Sequence, residues 1–495
     1  MNGNLLAVLL YISAPLIVLN LFTYVYGIID MVVVADKGGD VLSAVVMANQ
    51  LQNLFTTLGG GLATGGSIMV SRFIGRNDYP SAKSAANTFL TVAAVISLAF
   101  VGIILPFTDP LLRAAQFDDR LLAAGRSYFA VQVITAGVGI FNSTFLSFEK
   151  SRGATTNVLF INLVVMAVKI ALTLLFVQAY DLDVVWIALS TLFANLIITS
   201  YAAVNLIRRK YLFAYSFKNN RFKADILKPY VRLSMPVFLG KFVFSFGKVI
   251  VNALGTQYNR FAPGALGVSN NVAGAVTNVT SATEEAISTV VSQNIGARNN
   301  RRALKCFWVA LALDIAIALI GTFILNFISG WLAGFFSQGG DVTAEEAEYQ
   351  RRLIEEIFRY ELVGIPFLGV NAASMGFIYG LGYTKLSLVF NLSRLFVLRL
   401  PVVMIMLFCF YDFGPGGLGL GMLVSNVGVG VVSFILALAC YARVGKGDFR
   451  DDISGKTERG DTVSADRKAE ATFLQPVEED ISENPQNMQH FKIKN

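Results

Sequence analysis

Residues 70–78 read VSRFIGRND and residues 291–299 read VSQNIGARN, two stretches 221 positions apart. The same offset lays Ser13 and Pro15 on Ser234 and Pro236, Asn49 on Asn270, Thr56 on Thr277 and Ala82 on Ala303 without a gap. Each match alone is weak. Their common register from residue 13 to residue 82 is not what chance gives. A second offset, 229, brings Gly153, Thr155, Asn162 and Leu163 onto Gly382, Thr384, Asn391 and Leu392. The chain is therefore a duplicated unit.

Each copy consists of long apolar runs. Of 495 residues, 55% are hydrophobic and only 15% charged, and the mean hydropathy is +0.59, which leaves too little polar surface to cover a soluble particle. A helix rising ~1.5 Å per residue needs about 20 residues to cross ~30 Å of hydrocarbon. Twelve runs qualify: 5–34, 41–71, 84–107, 122–148, 157–179 and 184–207, then 232–256, 264–294, 303–328, 357–380, 386–411 and 415–443. The expected fold is an all-α integral membrane protein, with about twelve transmembrane helices in two pseudo-symmetric six-helix lobes. The expected organisation is an N-terminal lobe over 1–207, a basic inter-lobe linker over 208–230, a C-terminal lobe over 231–443 and a disordered tail over 444–495. The first run has no basic n-region or small-residue cleavage site, and reads as a span and not as a signal peptide.

Orientation follows from lysine and arginine in short loops. Loops after even-numbered spans carry Arg72, Arg76 and Lys83, then Lys150 and Arg152, then Arg298, Arg301, Arg302 and Lys305, besides the basic linker. Both termini are thus expected to be cytoplasmic, in a multi-pass protein of the cell membrane. The net charge of +7 reads as this topology and as affinity for anionic membrane lipid, not for nucleic acid. With both copies starting on one side, the lobes are parallel repeats, an arrangement suited to alternating access. Pro15 and Pro236 supply local bends. The chain is expected to act as a monomer.

Cys306, Cys409 and Cys440 lie far apart and the only histidine is His490, so metal cages, haem ligation and disulfide frameworks are poorly supplied. No nucleophile-and-base constellation is visible, which disfavours an enzyme. No metal or cofactor is expected, only a coupling ion, H⁺ or Na⁺.

An ionisable side chain at the bilayer centre costs at least ~2.5–3.5 kcal/mol and marks function by default. Asn20, Thr23, Gly27 and Asp30 share one face of the first span, and Asn162, Lys169 and Thr173 one face of the fifth. Lys241, Ser245, Lys248 and Asn252 share a face of the seventh. The eighth carries Asn271, Gly274, Asn278, Ser281, Glu285 and Thr289, with Glu284 beside them, while Asp314 and Arg394 are further buried charges. These stripes either line a wet cavity in which a carboxylate exchanges a proton or Na⁺ for a small-molecule substrate, or form permanent ion pairs such as Lys248 with Glu284 or Glu285. Glu361, Arg399 and Arg126 lie nearer span ends and read as side chains reaching for the interface. The run LGGGLATGGS, 58–67, lacks the GK[ST] ending of a phosphate loop and reads as a close helix-packing surface. The segment AEEAEYQRRLIEEIF, 344–358, reads as a surface helix before the tenth span.

In order along the chain, APL and YGIIDM, GGGLATGGSIMVSRFIGRND, STVVSQNIGARNNRRA, MGFIYGLGYTK and NLSRLFVLRLP resemble the multidrug and toxic compound extrusion (MATE) transporters over residues 5–443. The resemblance implies a two-lobed exporter that moves drugs or metabolites outward in exchange for inward H⁺ or Na⁺. It implies that Asp30 is the acidic residue of the family's first helix, which takes part in cation coupling, and that Asn162 is the asparagine of its fifth. The family often has an aspartate four residues after that asparagine. Here the position is Met166, with Lys169 one turn on, which impoverishes an N-lobe Na⁺ site and makes an Asp30–Lys169 pair opened by protonation conceivable. The candidate coupling residues are thus Asp30, Asn162 and Lys169, and the cavity candidates Asn20, Lys241, Lys248, Asn278, Glu284, Glu285 and Asp314. With these lysines the substrate is open among cations, zwitterions and anions. A lipid-linked oligosaccharide flippase of related architecture and a passive channel are the alternatives.

Overall fold

The computed structural model describes residues 4–35, 39–114, 119–180, 182–208, 210–216, 220–259, 261–337 and 344–446, without the side chains of 24–26, 28–35, 39–43, 46, 114, 120, 121, 124, 178, 335 and 336. Most of the 444–495 tail thus lies outside the described residues, as does the side chain of Asp30. The N-terminal half comprises α1 (Leu5–Ala35), α2 (Gly39–Gly75), α3 (Tyr79–Ile104, continued by a 3₁₀ turn and the short helix Thr108–Ala114), α4 (Asp119–Ser151), α5 (Thr155–Thr173, prolonged by a π turn Leu174–Ala179) and α6 (Val185–Ile207). The C-terminal half comprises α7 (Ala224–Gly255), α8 (Ala262–Gly296), α9 (Asn300–Ser337), α10 (Ala344–Gly380), α11 (Lys385–Cys409), which contains the π turn Ser393–Arg399, and α12 (Gly416–Gly445). Twelve long helices in two sets of six are the architecture that the periodicity predicts.

Two helices start well before their apolar runs. α7 begins at Ala224, eight residues early, because Asp225 sits favourably at its N-terminus and Tyr230 stacks on Phe89 of α3 at 4.0 Å. α10 is one helix from Ala344, so 344–358 continues the span instead of forming a separate surface helix. Leu353, Ile354 and Ile357 bury one side of that extension, and Arg351–Glu355 and Arg352–Glu348 pair on the other at i,i+4.

The duplication is visible bond by bond. Asn77 and Arg298, 221 apart, both have positive φ (58° and 57°), and Gly153 and Gly382, 229 apart, do so too (83° and 84°). The turn after α2 is closed by the Asn77 amide donating to the Ile74 carbonyl and the Asp78 amide to Phe73; after α8, Arg298 donates to Ile295 and Asn299 to Asn294. Asp78 caps α3 by accepting from the Ser81 amide at 3.1 Å, and Asn299 caps α9 by accepting from Arg302 at 3.0 Å. Each pair of bonds lies in the same register.

The halves meet where α2 and α8 end. A Cβ on Gly75 would overlap the Gln293 carbonyl oxygen, and one on Gly296 would overlap that of Arg72, so the two backbones touch reciprocally. The Gln293 amide donates to the Ser151 carbonyl at 2.6 Å and Arg72 Nη2 to the Gly380 carbonyl at 3.3 Å. These two bonds are mates, since 72 maps to 293 and 151 maps to 380. Further along α2, Gly61 and Gly65 admit Phe238 and Ser234 of α7, and Gly59 and Gly66 admit Ile140 and Phe148 of α4, which confirms the run as a packing surface.

Among the described residues ten helices are long and apolar enough to cross a membrane, and α2 and α8 are not among them. Their place explains it: α2 packs along α4, α7 and α8, and α8 along α1, α2, α9 and α10, so neighbouring helices shield them from lipid. After α6 the chain is anchored by the buried carboxylate of Glu149, which accepts from Arg152 Nε at 2.9 Å and Nη2 at 2.6 Å and from the Tyr211 hydroxyl. Burial and the adjacent carboxylate push the Tyr211 phenol well above its ordinary range. Burial opposes the Arg152 charge, but Glu149 outweighs it and holds the guanidinium above its usual value.

Gly75→Ala and Gly296→Ala should each lower stability by about 1–3 kcal/mol through overpacking, read as a fall in the melting temperature of detergent-purified protein. Gly102→Ala, with nothing within 4 Å of the added carbon, should leave the melting temperature unchanged or raise it.

Candidate functional site

A cavity of about 330 Å³ opens within the C-terminal half, lined from α7, α8, α10, α11 and α12. α7 contributes Lys241, Phe244 and Lys248, spaced so that all three fall on one face. α8 contributes Asn270, Thr277, Ser281, Glu284 and Glu285; Gly274, Ser281, Glu284 and Glu285 are shared with the polar stripe expected from the sequence, whereas Asn271, Asn278 and Thr289 of that stripe lie outside the lining. Glu361 of α10, Asn391, Arg394 and Arg399 of α11 and Asn426 of α12 complete the charged wall.

That wall is organised around one aromatic ring. The guanidinium carbons of Arg394 and Arg399 lie 4.3 and 5.1 Å from the Phe244 ring centroid, and Lys248 Nζ lies 5.4 Å from it, within cation–π range. Asn426 Oδ1 accepts from Nη2 of Arg394 at 2.9 Å and of Arg399 at 3.5 Å, and Ser425 Oγ accepts from Arg399 Nε at 3.3 Å. Glu361, 2% exposed, accepts from Ser269 Oγ at 3.0 Å. The π turn carries Arg394 and Arg399; such turns recur at functional sites.

The second end of the cavity lies toward the other half. There Lys150 at the end of α4 pairs with Glu285 at 2.5 Å, while Lys241 and Glu284 line the wall nearby. The ion pair in this region is therefore Lys150–Glu285, not the Lys248 pairing that sequence spacing allows.

The structure brings together Lys241, Lys248, Glu284 and Glu285 in one lining. Asn20 of α1 donates to the Asn278 carbonyl at 2.7 Å, a bond between the halves and outside that lining. Asn162 donates to the Val158 carbonyl of its own helix at 2.7 Å, and Lys169 is 6% exposed. Asp314 is fully buried and lies behind α8, where neither carboxylate oxygen has a hydrogen-bond partner. The neighbouring Thr283 hydroxyl donates to the Thr280 carbonyl instead. Glu361 and Arg399, which read as interfacial from their positions near span ends, are buried in the wall. Phe244 and Asn426 carry no signal in a scan for charges; only their spacing on α7 and α12 relative to Lys248 and Ser425 could have marked them. The charged wall has no counterpart in the other half, where the repeat mates of Lys241, Lys248 and Glu361 are Asn20, Gly27 and Gln132.

A family model described as MatE matches residues 15–175 and again 236–405, one match per copy. The chain belongs to the MatE family. Its curated relatives include the multidrug export protein MepA of Staphylococcus aureus strain MSSA476, 20% identical over 74% of this chain and 81% of the relative. MepA of Staphylococcus saprophyticus is 21% identical over 53% of this chain and 58% of the relative. Among solved structures, an outward-facing MATE transporter superposes with a TM-score of 0.83 at 19% identity, covering 90% of this chain and 97% of that one. A MOP-superfamily transporter from Pyrococcus furiosus, described as having a binding pocket of reversed polarity, superposes at 0.85 with 18% identity and covers 90% and 97%. As a MatE member the chain is a multi-pass membrane transporter, with small molecules as its substrates.

Asn426→Leu should leave two guanidinium donors unsatisfied and lower stability by about 2–3 kcal/mol, measured as a fall in the melting temperature in detergent. Asn426→Asp, which keeps an acceptor and adds an opposite charge, should hold or raise it.

Proposed function

We propose that the protein is a secondary antiporter that exports small organic compounds across the cell membrane in exchange for H⁺ or Na⁺, by alternating access of two lobes, residues 1–207 and 231–443. The observation that carries this reading is the reciprocal crossing at Gly75 and Gly296. It is a joint made of two copies of one motif, and a joint of that kind can part on one side of the membrane as the lobes rock. The lysines and arginines of the short loops support a cytoplasmic side for both termini and for this joint, and on that reading the joint closes the cytoplasmic side. Lys150–Glu285 and Asn20–Asn278 are further bonds that must break on opening inward. The proposed unit of transport is one chain, since both sides of the joint and the whole cavity lining come from it.

Asp314 is the coupling group we favour within the C-terminal lobe. A buried carboxyl with both oxygens unpartnered must hold a proton or a cation to sit there, and it stands one helix away from the cavity wall at Glu284. Asp30 is the coupling group that family resemblance supplies in the other lobe.

The test is transport by purified protein in liposomes under an imposed H⁺ or Na⁺ gradient. Gradient-driven substrate movement should be lost in Asp314→Asn, while substrate-for-substrate exchange without a gradient persists. Equal flux with and without either gradient would overturn antiport and indicate a channel. Movement only of lipid-linked substrates would indicate a flippase.

A further inference from the structure

The cavity wall holds more positive charge than its own residues balance. Two guanidiniums and one ammonium surround Phe244, against the single carboxylate of Glu361. Among the described residues no carboxylate oxygen lies within 4 Å of any of the three; the ion pairs found lie elsewhere. Glu361 itself is engaged by Ser269.

The donors are equally unbalanced. Arg394 spends one donor on Asn426, and its Nε is buried without a partner. A guanidinium offers five donors in a planar fork that matches the two oxygens of a carboxylate or phosphate. Lys248, on the facing helix, lines the same cavity. Phe244 beneath the fork holds the planar groups in place and offers an apolar flank to a flat molecule. The glutamates at the far end stand with cations of their own, Glu285 held by Lys150 at 2.5 Å and Glu284 beside Lys241 in the lining.

We propose that this cavity binds its substrate through an oxyanion, a carboxylate or a phosphate monoester seated on Arg394, Arg399 and Lys248, so that the transported compounds are small organic anions. This deepens the antiporter reading and rests on it for the word transported; the binding site itself does not. The volume of about 330 Å³ sits at the lower end of ordinary small-molecule pockets, which fits an aromatic acid or a sugar phosphate and excludes a whole lipid. A lipid phosphate headgroup offers the same oxyanion, and the test separates the two sources.

The experiment measures equilibrium binding to the purified full-length protein in neutral detergent, with no gradient present. The probes are the fluorescent aromatic anions 2-naphthoate and 2-naphthyl phosphate, and the cation N-methylquinolinium of similar size and flatness. At least one anion should bind saturably and at least about tenfold more tightly than the cation. Arg394→Gln should weaken that anion about tenfold or more, as expected for loss of charged hydrogen bonds. Should that variant melt below the working temperature, Lys248→Gln, at a position that already faces the cavity, serves in its place. A dibutyryl phosphatidic acid that fails to displace the bound probe assigns the site to soluble anions. Displacement by it at lower concentration than by either naphthyl anion would overturn the soluble-substrate assignment. Tighter binding of N-methylquinolinium, or anion binding unchanged in both variants, would overturn the proposal even if gradient-driven cation export were observed. Anion binding intact with no gradient-driven flux would leave the site standing and remove the antiporter reading.

Discussion

The backbone of α2 reaches the backbone of α8 only because Gly75 and Gly296 have no side chain. At that distance no water or lipid fits between the helices, and the amides of Gln293 and the guanidinium of Arg72 find carbonyls on the opposite half. This contact sits at the centre of the arrangement, where α2 and α8 each pack on helices of both halves. It goes with the packing of α1 against α8 and of α2 against α7, it surrounds with protein the two long helices that are not among the apolar spans, and it gives their polar stripes somewhere to face other than hydrocarbon.

On this symmetric frame the charge is not symmetric. The turns, caps and left-handed residues repeat from one half to the other, because backbone geometry at a helix end is set by a few local residues that both copies retain. Lys241, Lys248 and Glu361 replace Asn20, Gly27 and Gln132 in otherwise matching helices. In the proposed antiport, two bodies alike in backbone shape rock while the more charged one holds the ionic substrate. That division of labour is consistent with the cavity's placement in the C-terminal half.

Much of the site was legible because helical spacing alone puts Lys241 and Lys248 on one face of α7 and Glu285 on the polar stripe of α8. The remainder was not. Glu361 and Arg399 sit close enough to span ends to look interfacial, and only the long extension of α10 and the π turn in α11 reveal that both lie inside protein. Phe244 looks like any other apolar residue until three cations are seen around it. The pairing of Lys150 with Glu285 joins residues 135 positions apart, and no periodicity within one helix can announce such a contact.

The sequence by itself determined that the chain crosses a membrane, how many times, and that it does so as two copies of one unit, because hydropathy, length and register are properties of local segments and of their repetition. It also determined the family. The tertiary structure alone decided which polar stripe is paid its solvation by which neighbour: that α2 and α8 touch, that Glu285 is neutralised by the opposite half, and that Arg394, Arg399 and Lys248 share a ring with one carboxylate among them. Those outcomes depend on distances between helices far apart in the chain. Coulombic and hydrogen-bond energies fall off within a few ångströms, so the same residues carry different chemistry according to which helix stands beside them.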